Sequence, residues 1–209
     1  MSHYAHFSFT ALAAAEIPQQ FDNAELAEFS TELPFNGQSA EIRRIFGQTR
    51  SDWLKWVSRD LLAKTPYNSL QFLAADYLVL PTEQTAYNEK FEEDEFQTDF
   101  YTVIAPSQLD KVLNELTDFL TWCSTHIVEV SDVMEWGHED IKTALERAEF
   151  QNYLNDCYWG EDGDTPDFFF CTLKSMQVIL QYAKTHGLYA IYENENSTGL
   201  NIPAVTLLD

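Results

Sequence analysis

The stretch from Ser107 to Cys123 leaves the backbone little choice. Leu109, Val112, Leu113, Leu116, Phe119, Leu120 and Cys123 follow one another at steps of 3, 1, 3, 3, 1 and 3. Those steps match a 3.6-residue period and gather seven apolar side chains into one stripe, which predicts an amphipathic helix packed on a core. Ser107 and Asp110 are placed as a capping box at its start. Just before it, Phe100-Tyr101-Thr102-Val103-Ile104 reads as a strand.

The end of the chain repeats this alternation of elements. Asp167-Phe168-Phe169-Phe170-Cys171 reads as a buried strand. Thr172 is placed as the cap of a helix carrying Leu173, Met176, Ile179, Leu180 and Ala183. Lys184 and His186 suit the negative end of its dipole, and Gly187 suits a left-handed C-terminal residue. Leu188–Tyr192 alternates as a further strand, completing a C-terminal β-α-β unit. Elsewhere the periodicity is weaker. Ser39–Lys64 reads as helix, with a break near Gln48–Ser51, and Trp53 and Trp56 are expected in the core. Residues 70–80 form a weak helix, 81–98 are polar and include loop, and a helix runs from about Glu139 to Asp156. The fold class expected is α/β, with mixed α+β as the other arrangement: a compact, helix-rich globule around a small sheet. Residues 1–209 are expected to form a single domain, in which a helical part over 1–80 can pack on an α/β part over 98–193. Residues 194–209 are expected to form an extended tail.

A 209-residue globule buries roughly 70% of the surface its unfolded chain exposes, so folding needs no disulfide or metal. Cys123, Cys157 and Cys171 are odd in number and form no C-x-x-C pair; reduced, buried thiols in a reducing compartment are expected. The first residues lack a basic region followed by an apolar stretch. No apolar run approaches the ~20 residues of a membrane helix. The expected location is cytoplasmic.

Charge narrows the function. The chain carries 12 Lys and Arg against 34 Asp and Glu, a net charge of -22. Residues 1–64 hold six basic and eight acidic residues and sum to -2. Residues 65–209 hold six basic and 26 acidic residues and sum to -20. Phosphate backbones and anionic membrane surfaces are repelled by such a chain. An aromatic content of 14% is too high for a disordered acidic tail. No phosphate-binding glycine loop, H-E-x-x-H or G-x-S-x-G is present, and no cofactor or metal is expected. His138-Glu139-Asp140 reads as a helix start rather than a catalytic set, because consecutive helical residues diverge. His3 and His6, near the N-terminus, read as disordered rather than as metal ligands.

Three segments join acids to aromatics. Glu92-Glu93-Asp94-Glu95 lies between Phe91 and Phe96. Glu135-Trp136-Gly137 is the second, and Tyr158-Trp159-Gly160-Glu161-Asp162-Gly163-Asp164 the third. The third lacks the ligand spacing of a calcium loop. A solvated acidic surface is the plain reading of each. The functional reading is a contact surface, where carboxylates steer the encounter and aromatics supply buried area. Glu92, Glu93, Asp94, Glu95, Glu135, Trp136, Tyr158, Trp159, Glu161, Asp162 and Asp164 are the partner-binding candidates. In overall character the chain resembles the acidic immunity proteins of bacterial toxin systems: small, cytoplasmic, acidic and free of catalytic motifs. That resemblance implies occlusion of a basic toxin or nuclease and transfers no residue roles. The alternatives are a mimic of DNA charge that inhibits a defence protein, an enzyme with a carboxylate site of unfamiliar form, and acidity that reflects a salt-rich habitat.

Overall fold

A computed structural model describes residues 4–14, 44–50, 53–74, 85–92, 95–148 and 164–195, with side chains over 9–14, 53–74, 102–148 and 164–192. Five strands form one sheet: β1 (Tyr4–Leu12), β2 (Arg44–Arg50), β3 (Thr85–Glu92), β4 (Glu95–Ile104) and β5 (Tyr189–Glu195). Their order is β2-β1-β5-β4-β3, and every neighbouring pair is antiparallel. Strands from the first quarter of the chain are therefore hydrogen-bonded into the same sheet as the last strand. The helices are α1 (Trp53–Leu62), α2 (Leu109–Thr125), α3 (Ile127–Met134), α4 (His138–Ala148) and α5 (Pro166–His186), with a 3-10 helix over Asn68–Ala74. The result is a mixed α/β fold.

The α2 stripe forms as its spacing demands, and all seven of its apolar residues are buried. Full burial of each large aliphatic contributes about 1.5–3 kcal/mol. The helix begins at Gln108 with no side-chain cap, so the Ser107–Asp110 capping box does not form. α5 runs antiparallel to α2. Lys184 pairs with Asp110 near one end, and Gln177 donates to the Thr117 hydroxyl at 2.7 Å near the middle. Ser69 donates through its backbone N–H and hydroxyl to Glu115 at 2.8 and 2.6 Å, tying the 3-10 helix to α2. Phe9 of β1, Phe72 of the 3-10 helix and Tyr192 of β5 meet where the sheet faces the helices, with centroids 5.3–6.4 Å apart.

Three sequence expectations are corrected. Asp167–Cys171 is the opening of α5, not a strand. Pro166 takes the first helical position and the Thr165 hydroxyl accepts the Phe168 N–H at 3.2 Å, so the start signal lies two residues ahead of the apolar run. The four-residue run is fully buried, which removes its period. The helix and the last strand of the C-terminal unit form, as α5 and β5, and the strand that precedes the helices is β4, which pairs antiparallel with β5. Ser39–Lys64 is not continuous helix: Arg44–Arg50 is an edge strand paired with β1, and helix begins only at Trp53. Residues 85–92 form strand β3 rather than loop, paired along its whole length with β4. Gly187 takes φ 65° and closes α5, as expected of a left-handed C-terminal residue.

Candidate functional site: an acidic corner that presents a tryptophan

α2 and α3 meet at His126. Its ring stacks on Trp122 at 4.6 Å, and its Nδ1 donates to the Trp122 carbonyl at 2.9 Å. α3 then buries Val130, Ser131 and Met134 and turns its other side to solvent. Val128, Glu129, Asp132 and Glu135 are exposed there.

The link from α3 to α4 is tightly specified. Glu135 closes α3 in the left-handed region, at φ 60° and ψ 36°, a conformation that costs a non-glycine residue about 1 kcal/mol. Trp136 is then held from both sides of its backbone. Its N–H donates to the Ser131 carbonyl at 3.3 Å, and its carbonyl accepts from the Ser131 hydroxyl. Gly137 follows with the Asp140 carboxylate laid against it; a Cβ there would stand 2.8 Å from Asp140 Oδ2. The Gly137 carbonyl accepts the Ile141 N–H at 3.1 Å and opens α4. The Trp136 side chain is 38% exposed on this fixed backbone.

The surrounding field is negative. Residues 127–141 contain Glu129, Asp132, Glu135, Glu139 and Asp140 and no Lys or Arg. All five acids are exposed. Lys142 lies one residue beyond and donates to Glu139 at 2.7 Å. That bond, and then the ammonium charge, hold the Glu139 carboxyl below its ordinary value.

The other candidates are distributed differently. The β3–β4 register sets Glu92 opposite Glu95, which places these acids at the tip of a hairpin. Glu93 and Asp94 lie outside the described residues, as do Tyr158, Trp159, Glu161 and Asp162. Asp164 is half-buried and immediately precedes Thr165, the cap of α5. There its charge favours the helix dipole, a structural role. Of the candidates with described side chains, only Glu135 and Trp136 share one surface. Glu129, Asp132, Glu139 and Asp140 are the other exposed acids of residues 127–141; their spacing in sequence matched a solvated helix and gave no signal beyond charge. Trp56, expected in the core, is 49% exposed. The buried side of α1 is set by Leu54, Lys55, Val57, Ser58, Leu61 and Leu62, and Trp56 lies off it.

Nothing among the described residues gathers a catalytic set. A groove of about 260 Å³ lies between α2, α4 and α5 on a floor of Leu120, Leu145 and Ala148. Thr121 and Ser124 on its rim donate to carbonyls of their own helix, and Glu146 is its single carboxylate. Cys123 and Cys171 are buried and unbridged. Burial pushes the Cys123 thiol far up, which removes the thiolate at neutral pH. No three His, Cys, Asp or Glu are assembled as metal ligands among the described residues. No helix among them is long and apolar enough to cross a membrane. No family model, curated protein or solved structure matches the chain.

Proposed function

We propose that the chain is a cytoplasmic binding protein that neutralises a basic protein partner, in the manner of an immunity protein seated over the cationic cleft of a toxin or nuclease. The observation that carries this reading is Trp136: an exposed indole on a pinned backbone, among five exposed acids and no unshared cation. A net charge of -22 destabilises a compact chain by self-repulsion, and a cationic partner relieves it. The acids steer the encounter and raise the association rate. The indole supplies desolvated area at the centre of the contact, where a few aromatic residues dominate affinity. Inhibition is by steric occlusion and requires no chemistry from this chain.

The test is inhibition. A basic protein captured by the chain from lysate of its own source, with nucleic acid digested away, is assayed for activity alone and with added chain. Activity falling to background at a 1:1 ratio, and growth restored on co-expression, supports the reading. A captured protein that stays fully active in the complex rejects it.

A further inference from the structure

The turn that carries Trp136 depends on one buried side chain. α3 closes in a Schellman arrangement. Glu135 takes the left-handed position, and the Ser131 carbonyl accepts both the Glu135 N–H and the Trp136 N–H. Such a closure commonly has glycine at the left-handed position and an apolar contact from the residue one turn earlier. Glu135 is instead the one non-glycine residue with positive φ among the described residues. The residue one turn earlier is Ser131, 8% exposed, and its hydroxyl donates to the Trp136 carbonyl. Ser131 therefore engages both polar groups of the Trp136 backbone. The helices on either side are anchored by buried side chains, Val130 and Met134 in α3 and Ile141 and Ala144 in α4. Glu135, Trp136 and Gly137 between them are all exposed.

We propose that Ser131 is the positioning residue of this surface: its buried hydroxyl holds the Trp136 carbonyl and so fixes the backbone from which the indole is presented. The proposal rests on the binding function above, in which Trp136 is the anchor. A non-glycine residue is disfavoured in the left-handed region, so the turn keeps that conformation only while its surroundings hold it there. The Ser131 carbonyl is common to every residue type at this position, and the hydroxyl is what serine adds. A side chain on a loose turn has to be ordered when the partner arrives, and that ordering weakens the contact. A turn ordered beforehand avoids the loss. Ser131 is itself buried, so it acts on the partner through Trp136.

The experiment follows amide hydrogen exchange by NMR in the full-length chain, in Ser131→Ala and in Ser131→Thr. Exchange at the Trp136 N–H is expected to speed about fivefold in Ser131→Ala, as for loss of one hydrogen bond. The amides of Leu116 and Phe119, in the buried stripe of α2, are expected to stay within about twofold, because the opening is local. Ser131→Thr keeps a hydroxyl and is expected to exchange like the parent. If Ser131→Ala fails to fold by circular dichroism, Ser131→Cys, whose thiol is a weak donor, is measured in its place. A side chain that serves overall stability alone would speed all these amides together. Equal acceleration at Trp136 and Leu116, unchanged exchange at Trp136, or exchange in Ser131→Thr as fast as in Ser131→Ala overturns the proposal. Against the captured basic protein, Ser131→Ala is expected to dissociate about threefold faster. Faster exchange with unchanged dissociation also overturns the positioning role, and the proposed function stands, because inhibition by the parent chain decides that. A captured protein that stays active rejects the function and leaves exchange alone to decide whether Ser131 holds the turn.

Discussion

Trp56 and Trp136 are the exposed tryptophans among the described residues, at 49% and 38%, yet they stand in different fields. Trp56 lies on α1 between Lys55 and Arg59, in the part of the chain whose charges nearly cancel. It is outside because α1 buries a different side. Trp136 lies in the strongly acidic part, on a turn that a left-handed residue, two bonds to Ser131 and an adjacent glycine hold in place. Exposure alone therefore does not nominate a binding residue. A fixed backbone and a field of one sign do.

The sharpest way to break this comparison is to truncate each ring. Trp136→Ala is expected to speed dissociation of the partner about thirtyfold, the ~2 kcal/mol typical of a central aromatic. Trp56→Ala is expected to leave dissociation within about twofold, as for a surface change outside an interface. Equal effects measured by surface plasmon resonance would remove the distinction. Reversing the field should act on the other rate. Glu135→Lys with Asp140→Lys is expected to slow association about tenfold at low salt, with the effect fading as salt rises. Reversing Glu92, Glu93, Asp94 and Glu95 to Lys tests that acidic segment in the same way, and an unchanged rate there removes it from the interface.

The elements with a clear period were legible in the sequence. α2 follows from its seven-residue stripe, and the end of α5 follows from Lys184, His186 and Gly187. Elements decided by tertiary pairing were not. Ile42, Ile45 and Phe46 fit helical spacing and not a period of two, and only pairing with β1 settles Arg44–Arg50 as strand. Between Thr85 and Glu92, Tyr87 and Phe91 alternate with polar residues, but the acids that follow mask that period of two. The exposure of Glu135 and Trp136 was legible, because a Trp beside a Gly in a polar stretch is a better candidate for exposure than one inside an apolar stripe.

Smaller changes sharpen the role of the turn. Gly137→Ala brings a methyl against the Asp140 carboxylate, the end of a side chain that can move. It is expected to cost about 1 kcal/mol of folding stability, the low end for overpacking, and to weaken the partner severalfold; urea denaturation and binding measured together check both. The smallest effect concerns Glu139. Lys142 lowers its pKa in the folded state, so the pair stabilises the fold above the unfolded carboxyl pKa and loses its effect as pH falls through the folded value. Lys142→Met is expected to return the Glu139 titration, followed by NMR, toward the ordinary carboxylate value.

The most direct test is a side-by-side capture. The parent chain, Trp56→Ala and Trp136→Ala are each used as bait in lysate of the chain's own source, at low and then moderate salt, with nucleic acid digested. One basic protein is expected to be held by the parent and by Trp56→Ala, lost from Trp136→Ala, and released as salt rises. Retention by Trp136→Ala as firmly as by the parent, or no basic protein at either salt, would contradict that expectation.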